Sequence, residues 1–299
     1  MKIGYPCLNL TIGCKADRTF RLKSYSKRRL IETIENNLNC LKEILKYNIR
    51  NSILFFRITS DLIPFASHSI CNFNWQKHFR SEFKVIGDFI KKNNIRISMH
   101  PDQFTLINSL DKKVFHNSLK ELSYHSQVLD LMELGSSAKI QIHVGGVYGN
   151  KEESIKRFIE RFQRLEEPLR RRLVIENDDK NYDLKDCLQI NVKTGIPVLF
   201  DFLHHKINNS GETINEAFNV FTKTWEDKDD IPMVDYSSQH IGNSRGKHAE
   251  SIDLKNFKKF LNATKPFDFD VMLEIKDKEK SALKAVRAAS IDTRFMKNE

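Results

Sequence analysis

Short apolar runs alternate along the chain with longer segments in which apolar residues recur at helical spacing. The clearest helical pattern covers residues 26–47, where leucine or isoleucine returns every three or four positions. The run 198–200, which follows Gly195 and Pro197, is typical of a fully buried strand. Strands are predicted within 2–10 and at 52–58, 95–99, 138–142, 172–175, 198–200, 231–236 and 269–275. Helices are predicted at 26–47, 75–92, 112–133, 151–165, 184–191, 212–224 and 254–261, followed by a basic helical tail.

The regular order of strand then helix predicts the fold class. Strands that alternate with helices form parallel sheets, and eight such units favour closure into a single (β/α)8 TIM barrel. An open, doubly wound sheet is the alternative that the same pattern allows. The chain of 299 residues has no linker or internal repeat. We therefore expect one barrel domain over residues 1–276, with a C-terminal helix and tail over 277–299.

Composition and charge narrow the class of protein. The chain is 40% hydrophobic and 29% charged, as expected of a soluble globular protein, and its net charge of +10 favours a polyanionic partner. The five cysteines include no CxxC pair, which indicates reduced thiols. No signal peptide is visible, and no apolar run approaches the roughly 18 residues of a membrane span. The predicted protein is cytoplasmic, monomeric and not bound to a membrane.

Potential ligand side chains follow almost every predicted strand. Active sites of such barrels lie at the carboxyl ends of the strands, so these side chains are expected to converge. In chain order they are Tyr5 and Asn9; Asp61 and His68; His100, Asp102 and Gln103; His143; Glu176 and Asn177; Asp201, His204 and His205; Asp235, with His248 in the next loop; and Glu274. A single histidine at a strand end is usually structural, but this many on one rim indicate a metal centre.

Mixed imidazole and carboxylate ligands suit Mn²⁺ or Zn²⁺ better than Mg²⁺, which prefers oxygen donors. The ligands are too many for one ion, so we expect two or three ions, with Glu176 as the bridge. Clustered divalent ions suit phosphodiester hydrolysis, which agrees with the basic charge. The expected catalytic residues are His100, His143, Glu176, Asp201 and Glu274.

Eight segments resemble the UV damage endonuclease family, in order along nearly the whole chain. They are GYPCLN, RITSDLIPFASH, SMHPDQF, IHVGGVYG, LVIENDD, FDFLHH, DYSSQ and GKHAE. The resemblance implies a TIM barrel related to endonuclease IV, with a cluster of divalent ions that is often manganese. It also implies that the partner is double-stranded DNA containing UV photoproducts. Such an enzyme nicks immediately 5′ of cyclobutane pyrimidine dimers and 6-4 photoproducts, leaving 3′-hydroxyl and 5′-phosphate ends.

The resemblance also implies roles for particular residues. The implied metal ligands are His68, His100, His143, Glu176, Asp201, His204, His248 and Glu274. Gln103 and Phe104 are expected to enter the duplex where damaged bases leave it, because an amide and a ring can fill a gap in the stack. Tyr5 and Asn9 are expected to face the flipped-out lesion, and Tyr148 is a further candidate for DNA contact.

One stretch departs from the family's pattern. Many members carry a lysine, which can be a carboxylated ligand, where this chain has Met233, and a histidine where it has Asp235. Met233 cannot take the role of that modified lysine, whereas Asp235 can ligate a metal through its carboxylate. Asp235 is therefore added to the expected ligands.

Three alternative functions remain open from the residues alone. An abasic-site endonuclease of the endonuclease IV type would share the fold and the metals. A metal-dependent sugar isomerase would also use a barrel lined by carboxylates and histidines, although the basic charge argues against it. A metal-containing protein that binds DNA without cleaving it is the third.

Overall fold

Eight parallel strands form a closed barrel in the computed structural model, which describes residues 1–239 and 246–297. The strands are β1 (Ile3–Pro6), β2 (Phe55–Ile58), β3 (Arg96–Met99), β4 (Lys139–His143), β5 (Leu173–Glu176), β6 (Val198–Asp201), β7 (Met233–Tyr236) and β8 (Asp270–Leu273). Each strand pairs with the next in the chain, and β1 also pairs with β8, where Ile3 lies opposite Val271. This closure confirms the predicted single (β/α)8 TIM barrel and excludes the open doubly wound sheet.

Helices surround the barrel between successive strands. In the described residues they are α1 (Lys27–Arg50), α2 (Trp75–His78), α3 (Arg80–Lys92), α4 (Lys112–Leu131), α5 (Lys151–Gln163), α6 (Glu167–Arg170), α7 (Leu184–Thr194), α8 (Phe202–Ile207), α9 (Ile214–Phe221), α10 (Leu254–Ala263) and α11 (Glu279–Ala289). The helix predicted over 75–92 is two helices that meet at Phe79. Helix α8 was not predicted, and it directly follows Asp201 at the end of β6.

Local sequence explains where the helices begin and which side they bury. Ser26 precedes α1, and its side chain accepts a hydrogen bond from the amide of Arg29. Leu30, Ile34 and Leu38, at helical spacing, are buried in the core that α1 shares with the barrel. The C-terminal helix α11 packs on β1, so the described part of the predicted tail lies against the barrel. Residues 298 and 299 of that tail lie outside the described residues.

Buried ion pairs lie at the lower end of the barrel, which we define as the end formed by the first residues of the strands. Arg96 pairs with Asp270 across an Nη1–Oδ2 distance of 3.0 Å, and it also donates to the backbone carbonyl of Ile231. Lys139 pairs with Asp229 at an Nζ–Oδ1 distance of 2.5 Å. Since buried charges are costly unless they are paired, these contacts have a structural role. The opposite end, formed by the last residues of the strands, is called the upper rim below.

The prediction that all the cysteines are reduced is wrong for one pair. Cys14 and Cys40 form a disulfide, with their Cα atoms 5.8 Å apart. The loop after β1 folds back onto α1 and brings together two thiols that are 26 residues apart in the chain. Cys7, Cys71 and Cys187 are free. Among the described residues, no helix is long and apolar enough to cross a membrane.

Candidate active site

Two histidines and a glutamate from three successive strands meet at the upper rim. His143 and Glu176 are the last residues of β4 and β5, where they pair in register, and His100 directly follows β3. The Nε2 atoms of both histidines lie 3.7 Å from Glu176 Oε2. Glu176 is buried, whereas both imidazoles are partly exposed, so a ligand could reach the group from solvent.

A second group shares Glu176 with Asp201 and His204. Asp201 ends β6 and caps α8, accepting a hydrogen bond of 2.6 Å from the amide of His204. This cap turns the chain into a helix and holds the His204 Nδ1 atom 3.1 Å from Glu176 Oε1. The neighbouring His205 does not join the group. It is buried against Phe200 at a ring separation of 4.9 Å, so only one of the two adjacent imidazoles faces the site.

Backbone carbonyls determine which nitrogen of three histidines is available. The Nδ1 atom of His100 lies 2.7 Å from the carbonyl oxygen of Pro101. That of His204 lies 3.0 Å from the carbonyl oxygen of Asn177, and that of His248 lies 2.6 Å from the carbonyl oxygen of Glu274. Because a carbonyl oxygen only accepts, each Nδ1 must carry a hydrogen, and in a neutral imidazole this leaves Nε2 with a lone pair. This is the usual arrangement of metal-binding histidines. His204 differs, since its Nδ1 also faces Glu176 and its raised pKa keeps both ring nitrogens protonated until a cation takes the place of the proton on Nε2.

A third group is formed by Asp201, Asp235 and Glu274, but an arginine already contacts two of its members. Arg57 from β2 points into the barrel, where its Nη2 donates to Asp235 Oδ1 and Oδ2 at 2.8 and 2.7 Å. Its Nη1 donates to Glu274 Oε1. Gln141 from β4 accepts from Arg57 Nη2 at 2.6 Å and donates to Asp235 Oδ2 at 2.7 Å.

The pKa shifts show how crowded these carboxylates are. Burial raises the pKa of Asp201 to about 7, since His204 opposes that shift only in part and the charge of Glu176 adds to it. Burial would lower the pKa of His204, but Asp201 and Glu176 raise it to about 11. Burial would raise the pKa of Glu274, but Arg57 together with His248 and His100 lowers it to about 2. The site therefore gains stability from further positive charge.

The donor set fits divalent metal ions. In each of the three groups, one ligand atom per residue lies within 4.8 Å of the others. Asp201 Oδ2 and His143 Nδ1 are buried, and neither has a hydrogen-bond partner among the described residues. Imidazole nitrogens and carboxylate oxygens together suit first-row divalent ions. The predicted ligands His100, His143, Glu176, Asp201, His204, Asp235 and Glu274 are thus brought together in these groups, and His248 adjoins them with its Nδ1 3.7 Å from Glu274 Oε2.

His68 is not brought into any of the three groups. It lies on a separate cavity of about 440 Å³ beside α4, which Asp102 and Phe104 also line. Its Nδ1 accepts a hydrogen bond of 3.0 Å from the amide of Ile70. The loop after β2 thus holds His68 outward, away from the ligand groups described above.

The expected lesion contacts of Tyr5 and Asn9 are not supported by their positions, because both side chains are buried. Alternate residues of a strand point to opposite faces, and Tyr5 points outward to the helices. Its hydroxyl donates to Asn48 of α1 at 2.7 Å and accepts from Asn9 at 2.9 Å. The two residues therefore connect β1 to α1.

A cavity of about 700 Å³ opens above the ligand groups. His100, His143, His248 and Glu274 line it together with Gln103, while Lys247, Lys276 and Lys278 add positive charge. Phe104, next to Gln103, is 71% exposed. Tyr148 is also exposed, and its ring lies 5.4 Å from the guanidinium of Arg157. The predicted probe and contact residues therefore lie at the protein surface.

Sequence reasoning missed Arg57, Gln141 and the three lysines. Arg57 is the only charged residue of the strand FFRI, and Gln141 is an uncharged polar residue in the strand KIQIH. A polar residue inside a buried strand must find a partner there, so both could have been noted as residues that face the site.

Comparisons with known proteins identify the family of this chain. Residues 1–295 match the family described as UV-endonuclease UvdE. The chain belongs to this family. A UV DNA damage endonuclease from Clostridium perfringens (strain 13 / Type A) is 41% identical over 290 residues, which cover 96% of this chain and 70% of the relative. One from Bacillus cereus (strain Q1) is 34% identical over 300 residues, which cover 97% of this chain and 95% of the relative.

A crystal structure of SacUVDE has a TM-score of 0.93 and 49% identity, covering 97% of this chain and 98% of that one. Endonuclease IV from Thermus thermophilus has a TM-score of 0.56 at 11% identity, covering 83% of this chain and 91% of that one. This more distant likeness shows the barrel fold alone. Membership of the UvdE family confirms the predicted resemblance and supports a DNA repair endonuclease as the general function.

Proposed function

We propose that the protein nicks duplex DNA immediately 5′ of UV photoproducts, namely cyclobutane pyrimidine dimers and 6-4 photoproducts, and leaves 3′-hydroxyl and 5′-phosphate ends. The observation that carries the proposal is the pair of ligand groups that share Glu176, beneath a cavity lined by lysines. The proposed substrate is double-stranded DNA, and the enzyme is proposed to act as a monomer in the cytoplasm.

Two sets of residues would hold divalent ions, with Mn²⁺ the best match for the mixed donors. His100 and His143 with Glu176 form one set, and Asp201 and His204 with Glu176 form the other. When bound, such ions activate water, neutralise the scissile phosphate and stabilise the leaving 3′ oxygen. Glu176 offers one oxygen to each set, since Oε2 faces His100 and His143 while Oε1 faces His204.

Residues around the cavity would bind the DNA. Lys247, Lys276 and Lys278 can neutralise backbone phosphates beside the ligand groups. Gln103 lines this cavity, and the exposed Phe104 is its neighbour in the loop after β3, so an amide and a ring could occupy the space that displaced bases leave. A pyrimidine dimer stacks poorly and costs less to displace, so this enzyme would recognise deformability of the duplex rather than base sequence.

The decisive test is cleavage of an oligonucleotide duplex that contains one pyrimidine dimer. We expect a single nick 5′ of the dimer with Mn²⁺ and none with excess EDTA, with the two new ends identified by mass spectrometry. Cleavage of an abasic-site duplex in place of the dimer duplex would instead favour the abasic endonuclease. Tight binding without any product would favour a non-catalytic DNA-binding protein.

Glu176→Gln tests the shared carboxylate. We expect it to abolish nicking, because an amide cannot serve two cation sites as a charged bridge. Glu279→Gln is the matched control, since Glu279 is equally buried but accepts a hydrogen bond from the amide of Leu10 on the outside of the barrel. Near-normal nicking by Glu176→Gln would refute the role of Glu176.

A further inference from the structure

Arg57 is a permanent cation at the centre of the upper rim. Its side chain is buried, and its guanidinium contacts one carboxylate from β7 and the carboxylate that directly follows β8. A guanidinium does not lose its proton in a protein, so this positive charge is present whether or not metal ions are bound. Arg57 must therefore be counted among the cations that neutralise the site.

Arg57 contacts only one of the three ligand groups, the one formed by Asp201, Asp235 and Glu274. Asp235 has both oxygens engaged, since Arg57 Nη2 donates to each and Gln141 Nε2 donates to Oδ2. Glu274 gives Oε1 to Arg57, while Oε2 lies 3.7 Å from His248 Nδ1. By contrast, within the described part of the chain Arg57 forms no hydrogen bond or ion pair with the five residues of the two groups around Glu176.

We infer that Arg57 takes the place of a third divalent ion, so that the site binds two ions and Asp235 is not a ligand. The inference rests on the proposed function, because it concerns the same centre. It replaces the expectation of two or three ions with a definite number. It also makes Asp235 a positioning residue that holds the guanidinium.

A chain of hydrogen bonds explains what Arg57 would position. Gln141 accepts from Arg57 and donates to Glu176 Oε2 at 2.5 Å, so the guanidinium is linked to the shared carboxylate. On its other side, Arg57 contacts Glu274 directly. One buried guanidinium is thus linked to Asp235 and Glu274 directly and to Glu176 through Gln141, before any ion binds.

Metal stoichiometry tests the inference without relying on activity. The full-length protein, stripped with EDTA and titrated with Mn²⁺, is measured by calorimetry and by elemental analysis. We expect two ions per chain in the wild type and also in Asp235→Asn, because an asparagine can still accept from Arg57. A wild type that binds any other number, or an Asp235→Asn variant that loses an ion, overturns the inference.

Arg57→Ala provides the converse test. Without the guanidinium, Asp201, Asp235 and Glu274 form a group of three carboxylates with no permanent cation between them in the part of the chain that the structure describes. We expect this variant to bind a third Mn²⁺ and to gain more thermal stability from Mn²⁺ than the wild type does. A folded Arg57→Ala protein that still binds two ions overturns the inference, and if it does not fold, the counts in the wild type and Asp235→Asn decide.

Arg96→Ala is the matched control. Arg96 is likewise a buried arginine paired with an aspartate, but it lies at the lower end of the barrel. Its removal should lower stability while leaving two ions per chain. Nicking of dimer-containing DNA by the wild type, measured on the same preparation, separates the two proposals: a protein that nicks but binds three ions contradicts only the inference about Arg57.

Discussion

Phe104 offers a direct test of how the protein would recognise a gap in stacked DNA. The ring is 71% exposed, and the residue is held through its amide, which donates to Asp102 Oδ1 at 2.7 Å. Phe104→Ala should therefore have little effect on folding stability. Stacking of a base on an aromatic ring is worth about 1–3 kcal/mol. If the ring stacks on one base, its loss should weaken binding about 5- to 150-fold, since about 1.4 kcal/mol is a factor of ten.

The dissociation constant is best measured by fluorescence anisotropy in a Glu176→Gln background, where the DNA should stay intact. A duplex with one pyrimidine dimer is compared with an undamaged duplex of the same sequence, because only the damaged duplex should open to admit the ring. Leu110→Ala is the control, since Leu110 is also an exposed apolar residue of the loop between β3 and α4, at 59%. Equal affinity of Phe104→Ala and its parent for the damaged duplex, or an equal loss in Leu110→Ala, would refute the reasoning.

Two further predictions concern salt and pH. If Lys247 and Lys278 each neutralise one phosphate, replacing either of them by alanine should reduce the slope of log affinity against log salt concentration by about 0.9. An unchanged slope would show that the replaced lysine does not contact the DNA. Burial lowers the pKa of His125 to about 4, although the carbonyl of Glu121 opposes this shift. Between pH 4 and the ordinary pKa near 6.5, the unfolded chain binds a proton at His125 that the folded chain does not bind. The free energy of unfolding should therefore rise by roughly 3 kcal/mol as the pH increases across this interval. In His125→Leu this rise should be absent when the free energy of unfolding is measured with urea at several pH values. A variant with the same pH dependence as the wild type would show that His125 is not its source.

The barrel could be predicted from the sequence because its signal is repeated eight times. Each strand is short and apolar, and each is followed by a segment of helical spacing, so errors at single boundaries did not change the topology. The split between α2 and α3 at Phe79 is such a boundary error. The position of the site followed from the same topology, since side chains at the ends of parallel strands must share one rim.

What the sequence left undetermined is the direction in which each side chain points. His204 and His205 are adjacent and chemically identical, yet only the cap at Asp201 decides which imidazole faces Glu176. Tyr5 follows the same principle, because its place in β1 turns the ring toward α1. The orientation of such side chains depends on the exact residue at which a strand or helix begins, which composition and spacing do not specify.

Contacts between residues that lie far apart in the chain also could not be predicted from the sequence. Arg57 and Asp235 are separated by 178 residues, so no local pattern connects them. The disulfide between Cys14 and Cys40 depends in the same way on a loop that folds back onto a helix. Both contacts become visible only when the elements are assembled.

The ion pairs at the lower end of the barrel also have a consequence for the opposite end. Arg96, Lys139 and their carboxylate partners are buried at the first residues of the strands. Water and cations would then reach the interior through the mouth above Glu176. If the proposed function holds, a duplex seated over that mouth would close this route, and cations would have to bind before the nucleic acid.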